Sequence, residues 1–173
     1  MSKQGGGRGG LVGLVEKAYG LLISLGDALS HVLLLIFRIS WGWQFFDSGK
    51  GKLINHEKVT AFFSSLNIPE PGLNAWLVGG LECFGGLLLL IGFASRPVAL
   101  LLSVNMLVAY LSVEDDRAKL LGVLHDPTPF LSADPFFFLL AALLVFCFGP
   151  GLLSVDGVIR KVLTKRTDEA RHH

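Results

Sequence analysis

Four stretches of this chain are long, apolar and nearly free of charge, and the charged residues gather between them. They run roughly from Leu29 to Phe46, Asn74 to Phe93, Pro97 to Val113 and Pro135 to Phe148. A helix needs about 17–25 apolar residues to cross a bilayer. Lipid offers the backbone no hydrogen-bond partners, so each crossing segment must satisfy its own N–H and C=O groups, as an α-helix does. The fourth stretch is short on that count and is expected to continue through Gly149-Pro150-Gly151 or to begin nearer Leu131. Only 17% of the residues are charged, against about 25% in soluble domains. The expected fold is all-α: an integral membrane four-helix bundle preceded by an amphipathic helix.

The flanking segments complete the organisation. Residues 1–10, glycine-rich around Arg8, read as a disordered leader. No cleavable signal peptide is expected. From 11 to 28, Leu11, Leu14, Val15, Ala18, Leu22 and Leu25 recur at helical spacing with Glu16, Lys17 and Asp27 between them. That pattern predicts an amphipathic helix lying in the membrane interface. The bundle proper occupies 29–157, and 158–173 reads as a basic tail. Nine Lys and Arg flank one side of the spans, among them Arg8, Arg96 and Arg160. Five flank the other side: Lys50, Lys52, Lys58, Arg117 and Lys119. The richer side is expected to be cytoplasmic, which puts both termini inside. A net charge of +1 gives no reason to expect a nucleic-acid partner. The two cysteines, Cys83 and Cys147, form no C-x-x-C pair, and His31, His56 and His125 have no second ligand at i+3 or i+4. Neither metal nor haem is expected.

Polar groups inside spans are costly and mark sites or partnerships. If the first span ends near Asp47, then Arg38, Glu82 and Asn105 each lie eight or nine residues below the outer ends of their helices. At a rise of about 1.5 Å per residue they share a layer about 12–14 Å deep. This predicts an Arg38–Glu82 ion pair with Asn105 beside it, because neither charge is tolerable alone. A bridge that only fixes helix register and a bridge that floors a ligand pocket both remain open. In the second reading, Trp41, Gln44, Phe45, Asp47 and Lys50 line an outward mouth, and Tyr110 stands one turn above Met106. Such a pocket suits an amphipathic ligand with an apolar body and one or two carbonyl oxygens. Glycines 79, 80, 85 and 86 would let the second span approach a neighbour closely. Ser95 is the expected cap for the third span, with Pro97 in its first turn. Trp76 and Tyr110 read as interface anchors.

Four motifs carry a family resemblance. Residues 38–53 read R-I-S-W-G-W-Q-F-F-D-S-G-K-G-K-L, and residues 79–97 read G-G-L-E-C-F-G-G-L-L-L-L-I-G-F-A-S-R-P. Met106-Leu107-Val108-Ala109 lies in the third span, and F-G-P-G-L-L-S-V-D closes the last, from Phe148 to Asp156. Together, over about residues 33–157, they resemble the DoxX family. The resemblance implies a four-helix bundle in a bacterial or archaeal plasma membrane, and a related branch, DoxD, includes a subunit of thiosulfate:quinone oxidoreductase. Arg38, Lys50, Glu82 and Arg96 fall on the family's recurrent charged motifs. The implied function is a membrane subunit of a quinone-linked oxidoreductase. Quinone is then the one expected cofactor, and Arg38 and Glu82 are the catalytic candidates. Two readings stand beside it. One is a scaffold that recruits a soluble or membrane redox partner without catalysis. The other is a small-solute transporter, which would call for a homo-oligomer.

Overall fold

The computed structural model describes residues 6–151 and 153–171, with side chains described for 12–151 and 153–164. Every regular element among the described residues is helical. The order is α1 (Gly6–Ile54), α2 (His56–Ser65), α3 (Pro71–Ile91), α4 (Ser95–Ser112), α5 (Glu114–Leu121), α6 (Thr128–Leu131), α7 (Pro135–Phe148) and α8 (Val155–Arg171). α1 packs along α3 and α4 along α7; α3–α4 and α1–α7 contacts close the four into a bundle. α2 lies against α3, and α5 and α6 bridge α4 to α7. Three of these helices, α1, α3 and α4, are long and apolar enough to cross a membrane. α7 is equally apolar but has only 14 residues, about 21 Å of helix against a hydrocarbon core of about 30 Å.

The bundle distributes its residues as lipid demands. Leu77, Phe84, Leu101, Val104 and Leu143 are exposed on its outside, while Glu82, Arg38, Ser103 and a set of Gly and Ala residues are buried within. Small residues inside and large apolar ones outside are what close helix packing in a bilayer requires.

Three boundaries differ from the sequence expectation. α1 is one helix of 49 residues, so no break separates an interfacial helix at 11–28 from a first span beginning at 29. The chain from Leu11 to Ile54 has no proline, and nothing else in it compels a helix to end. Residues 6–10, expected to be disordered, form the first turns of α1; the rest of that leader lies outside the described residues. α1 also continues to Ile54, about two turns beyond the expected end near Asp47, because Gly49 and Gly51 are tolerated inside it. Residues 158–171 of the basic tail are helical, within α8.

α1 and α3 meet through glycine. A Cβ on Gly86 would lie 2.7 Å from the Gly42 carbonyl and against the Phe46 amide, and one on Gly49 would lie 2.6 Å from the Gly79 carbonyl and against the Cys83 amide. Gly85 faces Leu102 of α4 instead, and Gly80 faces open space. α3 closes at Gly92, whose φ of 72° suits glycine. The Phe93 amide bonds back to Leu88 and the Gly92 amide to Leu88 and Leu89, a Schellman-type ending. Three residues then join α3 to α4. Its cap is not Ser95, which lies inside the helix with its hydroxyl unpaired. The Asp156 carboxylate caps it from the far end of the chain, accepting from the Ala94 and Ser95 amides at 2.9 and 2.8 Å.

These contacts make a graded prediction. Gly49→Ala and Gly86→Ala should each destabilise the protein by about 1–3 kcal/mol through overpacking. Gly80→Ala should be neutral or stabilising by up to about 1 kcal/mol, through helix propensity. Thermal unfolding in one detergent compares the three; equal midpoints would refute the close approach.

Candidate functional site

Glu82, 2% exposed, holds three donors from two other helices. Lys52 Nζ is its ion-pair partner, Ser48 Oγ donates to Oε2 at 2.9 Å, and Asn105 Nδ2 donates to Oε1 at 3.0 Å. Lys52 Nζ also donates to Ser48 Oγ at 2.8 Å. Ser48 and Lys52 stand one turn apart on α1, so both reach the same carboxylate from one face. Both carboxylate oxygens thus accept hydrogen bonds, as a charge buried at mid-span requires.

This network forms part of the wall of a recess of about 500 Å³. Phe62, Phe63, Leu66 and Ile68 from the α2 region, Val78 of α3, Met106 and Ala109 of α4 and Phe138 of α7 supply apolar walls. Asn74 and Asp134 add polar groups beside Ser48, Lys52, Glu82 and Asn105. An apolar chamber with a few convergent polar groups has the general build of a small-molecule site, and the volume falls within the usual range of about 300–1,000 Å³.

Arg38 is not part of it. The expected Arg38–Glu82 pair does not form. Arg38 donates from Nη1 to the Pro150 carbonyl and from Nη2 to the Leu153 carbonyl, both at 2.5 Å. It lies against Gly92, where a Cβ would sit 2.8 Å from Nη1. The reason is register. The glycine contacts set Ser48 across from Glu82, and ten residues of helix, about 15 Å, separate Ser48 from Arg38. A first span ending near Asp47 leaves Lys52 beyond the helix and brings Arg38 to the depth of Glu82; α1 instead runs on to Ile54. The pattern that could have found Lys52 was the Ser48–Lys52 spacing of four, continuous with the helix before it.

The other expected lining residues divide. Asn105 lines the recess and Glu82 anchors it. Phe45 is fully buried and packs edge-on against Phe138. Trp41 stacks on Phe137 and meets Phe138 edge-on. Tyr110 is fully buried rather than interfacial, and its hydroxyl donates to the Phe130 carbonyl at 3.0 Å. Gln44, Asp47 and Lys50 are exposed and do not line the recess. Trp76 remains exposed, stacked on His56. Cys83 and Cys147 are free thiols. Among the described residues no three His, Cys, Asp or Glu side chains gather into a metal-holding group. In the connection between α4 and α7, the hydrogen bond to Asp116 raises the Lys119 pKa, and the Thr128 backbone amide lowers that of Asp126.

A pair of double-mutant cycles tests the partnerships. Glu82→Leu and Lys52→Met should couple, the double change being milder than the sum of the singles. Arg38→Leu and Glu82→Leu should be additive within about 0.5 kcal/mol, as for distant sites. Arg38→Leu alone should cost about 1–3 kcal/mol for each of the two carbonyls it leaves unpaired. Strong Arg38–Glu82 coupling in unfolding experiments would refute the register.

Comparison with known proteins follows the same span. Residues 33–115 match the family model described as DoxX; that stretch holds Ser48, Lys52, Glu82 and Asn105, and stops short of α7. A Bacillus subtilis (strain 168) protein named "Putative oxidoreductase CatD" is 30% identical over 117 residues, which covers 60% of this chain and 86% of that relative. No solved structure matches the chain.

Proposed function

This chain belongs to the DoxX family of helical membrane proteins, and on that premise we propose that it is the membrane subunit of an oxidoreductase system that binds a quinone-like ligand in the recess beside Glu82. The observation that carries the reading is the pairing of an apolar chamber with one compact polar group, Ser48–Lys52–Glu82–Asn105. A ligand with an apolar body and ring carbonyls matches both parts. Lys52 Nζ and Asn105 Nδ2 are the donors that a carbonyl oxygen would accept from, and Glu82 orients both while holding or passing a proton. Arg38 has no part in this chemistry, since it is spent on the chain segment after α7. The oxidoreductase name of the Bacillus relative supports the reaction class. Electrons come from a redox partner, and this chain's own residues bind, orient and handle protons. The recess opens at the end of the bundle that carries α2, α5 and α6. By the distribution of Lys and Arg, that end faces outward across a plasma membrane, with the termini on the cytoplasmic side.

One observation favours a scaffold instead. The four polar groups already hydrogen-bond one another, and a self-contained network can serve packing alone. Ligand binding separates the two. A ubiquinone or menaquinone analogue present at about 100 Kd should stabilise the purified protein by about 2.7 kcal/mol. Lys52→Met should weaken that binding about tenfold, the loss of a charge-assisted hydrogen bond. Absence of any melting shift across a panel of analogues would leave the scaffold as the better account.

A further inference from the structure

The bundle accounts for the inward face of α1; its outward face poses a separate problem. Ser40, Gln44, Asp47 and Gly51 are spaced by four, three and four residues, so they make one line along the helix. The line runs opposite the buried Arg38, Gly42, Phe45 and Gly49. Gln44 and Asp47 are exposed, and no hydrogen bond or ion pair joins either side chain to any other described residue. Their depth follows from the register. Gly49 packs on Gly79 and Cys83, close to the middle of the 21-residue α3. Asp47 therefore sits within about one turn of the bilayer centre, and Gln44 one turn further toward the other surface. A carboxylate and a carboxamide pointing at acyl chains at that depth are costly, and such groups face protein instead.

We propose that this line is the contact between two copies of the chain, set side by side about a two-fold axis along the membrane normal. The chemistry favours a second copy. A carboxamide both donates and accepts, so Gln44 is complementary to itself across a two-fold axis. Lys50 lies one turn from Asp47 and is also exposed, so the same axis sets each copy's Asp47 against the other copy's Lys50. Ser40 and Gly51, at the two ends of the line, are small enough to let the backbones approach. Two-fold pairs of this isologous kind are the commonest assembly of identical chains. The inference stands apart from the recess and does not depend on what the recess binds.

Cross-linking tests it in native membranes. Gln44→Cys, introduced together with Cys83→Ala and Cys147→Ala, should give a disulfide-linked dimer on mild oxidation. Leu101→Cys in the same background should not, although Leu101 is 54% exposed on α4. In the parent chain diluted into lipid vesicles, Asp47→Leu should weaken association three- to thirty-fold by single-molecule photobleaching, in keeping with the strength of polar contacts between membrane helices. It should leave the melting temperature of the monomer unchanged or higher. Exchanging the charges, Asp47→Lys with Lys50→Asp, should restore association that either single exchange loses. Equal cross-linking from Gln44→Cys and Leu101→Cys, unaltered association of Asp47→Leu, failure of the charge exchange to restore it, or a cross-link only to a different protein would each overturn the proposal.

Discussion

The approach of α1 to α3 through Gly42, Gly49, Gly79 and Gly86 governs the rest of this structure. Without side chains between them, the two backbones come close enough that their antiparallel register cannot slide. One residue of slip in either helix would drive a Cβ into a facing carbonyl or amide. That register decides which polar groups share a layer. It sets Ser48 and Lys52 across from Glu82 and carries Arg38 to the far end, against Gly92. The recess, the terminal clamp and the outward polar line on α1 all follow from it.

Each buried charge then has a distinct task. Glu82 ties α1 to α3 through Ser48 and Lys52, and α3 to α4 through Asn105. In a medium of low dielectric these bonds are stronger than in water, and an unpaired member would be correspondingly destabilising. Arg38 holds the carbonyls of Pro150 and Leu153, and Asp156, three residues beyond, caps α4. The segment after α7 is thereby fastened to α1 and to the α3–α4 turn. One polar cluster organises the middle of the bundle and another its opposite end, about 15 Å along α1. The separation leaves the first cluster free to floor a recess while the second does structural work.

Tyr110 and Asp47 show why single side chains were harder to place than helices. An aromatic residue near a span end has the profile of an interface anchor, yet α6 folds over that end and Phe130 offers its carbonyl to the Tyr110 hydroxyl. Asp47 has the profile of a span terminus, yet the helix passes through it. For Tyr110 the deciding contact comes from a segment distant in sequence, and local pattern does not carry it. Ser95 failed as a cap for the same reason, its place being taken by a carboxylate more than sixty residues on.

The sequence by itself determined that the chain is helical and built for a membrane. Composition and run length decide that question, because lipid leaves an apolar backbone no alternative to internal hydrogen bonding. It also picked out Glu82 and Asn105 as polar groups that must find partners, and Gly79 and Gly86, two of the four glycines through which α1 and α3 meet. Tertiary structure alone decided who the partners are. A ten-residue difference in pairing between two helices leaves their apolar pattern unchanged and moves every charge to a new neighbour. Only the fit of glycine against glycine, between residues thirty or more positions apart, distinguishes the two arrangements.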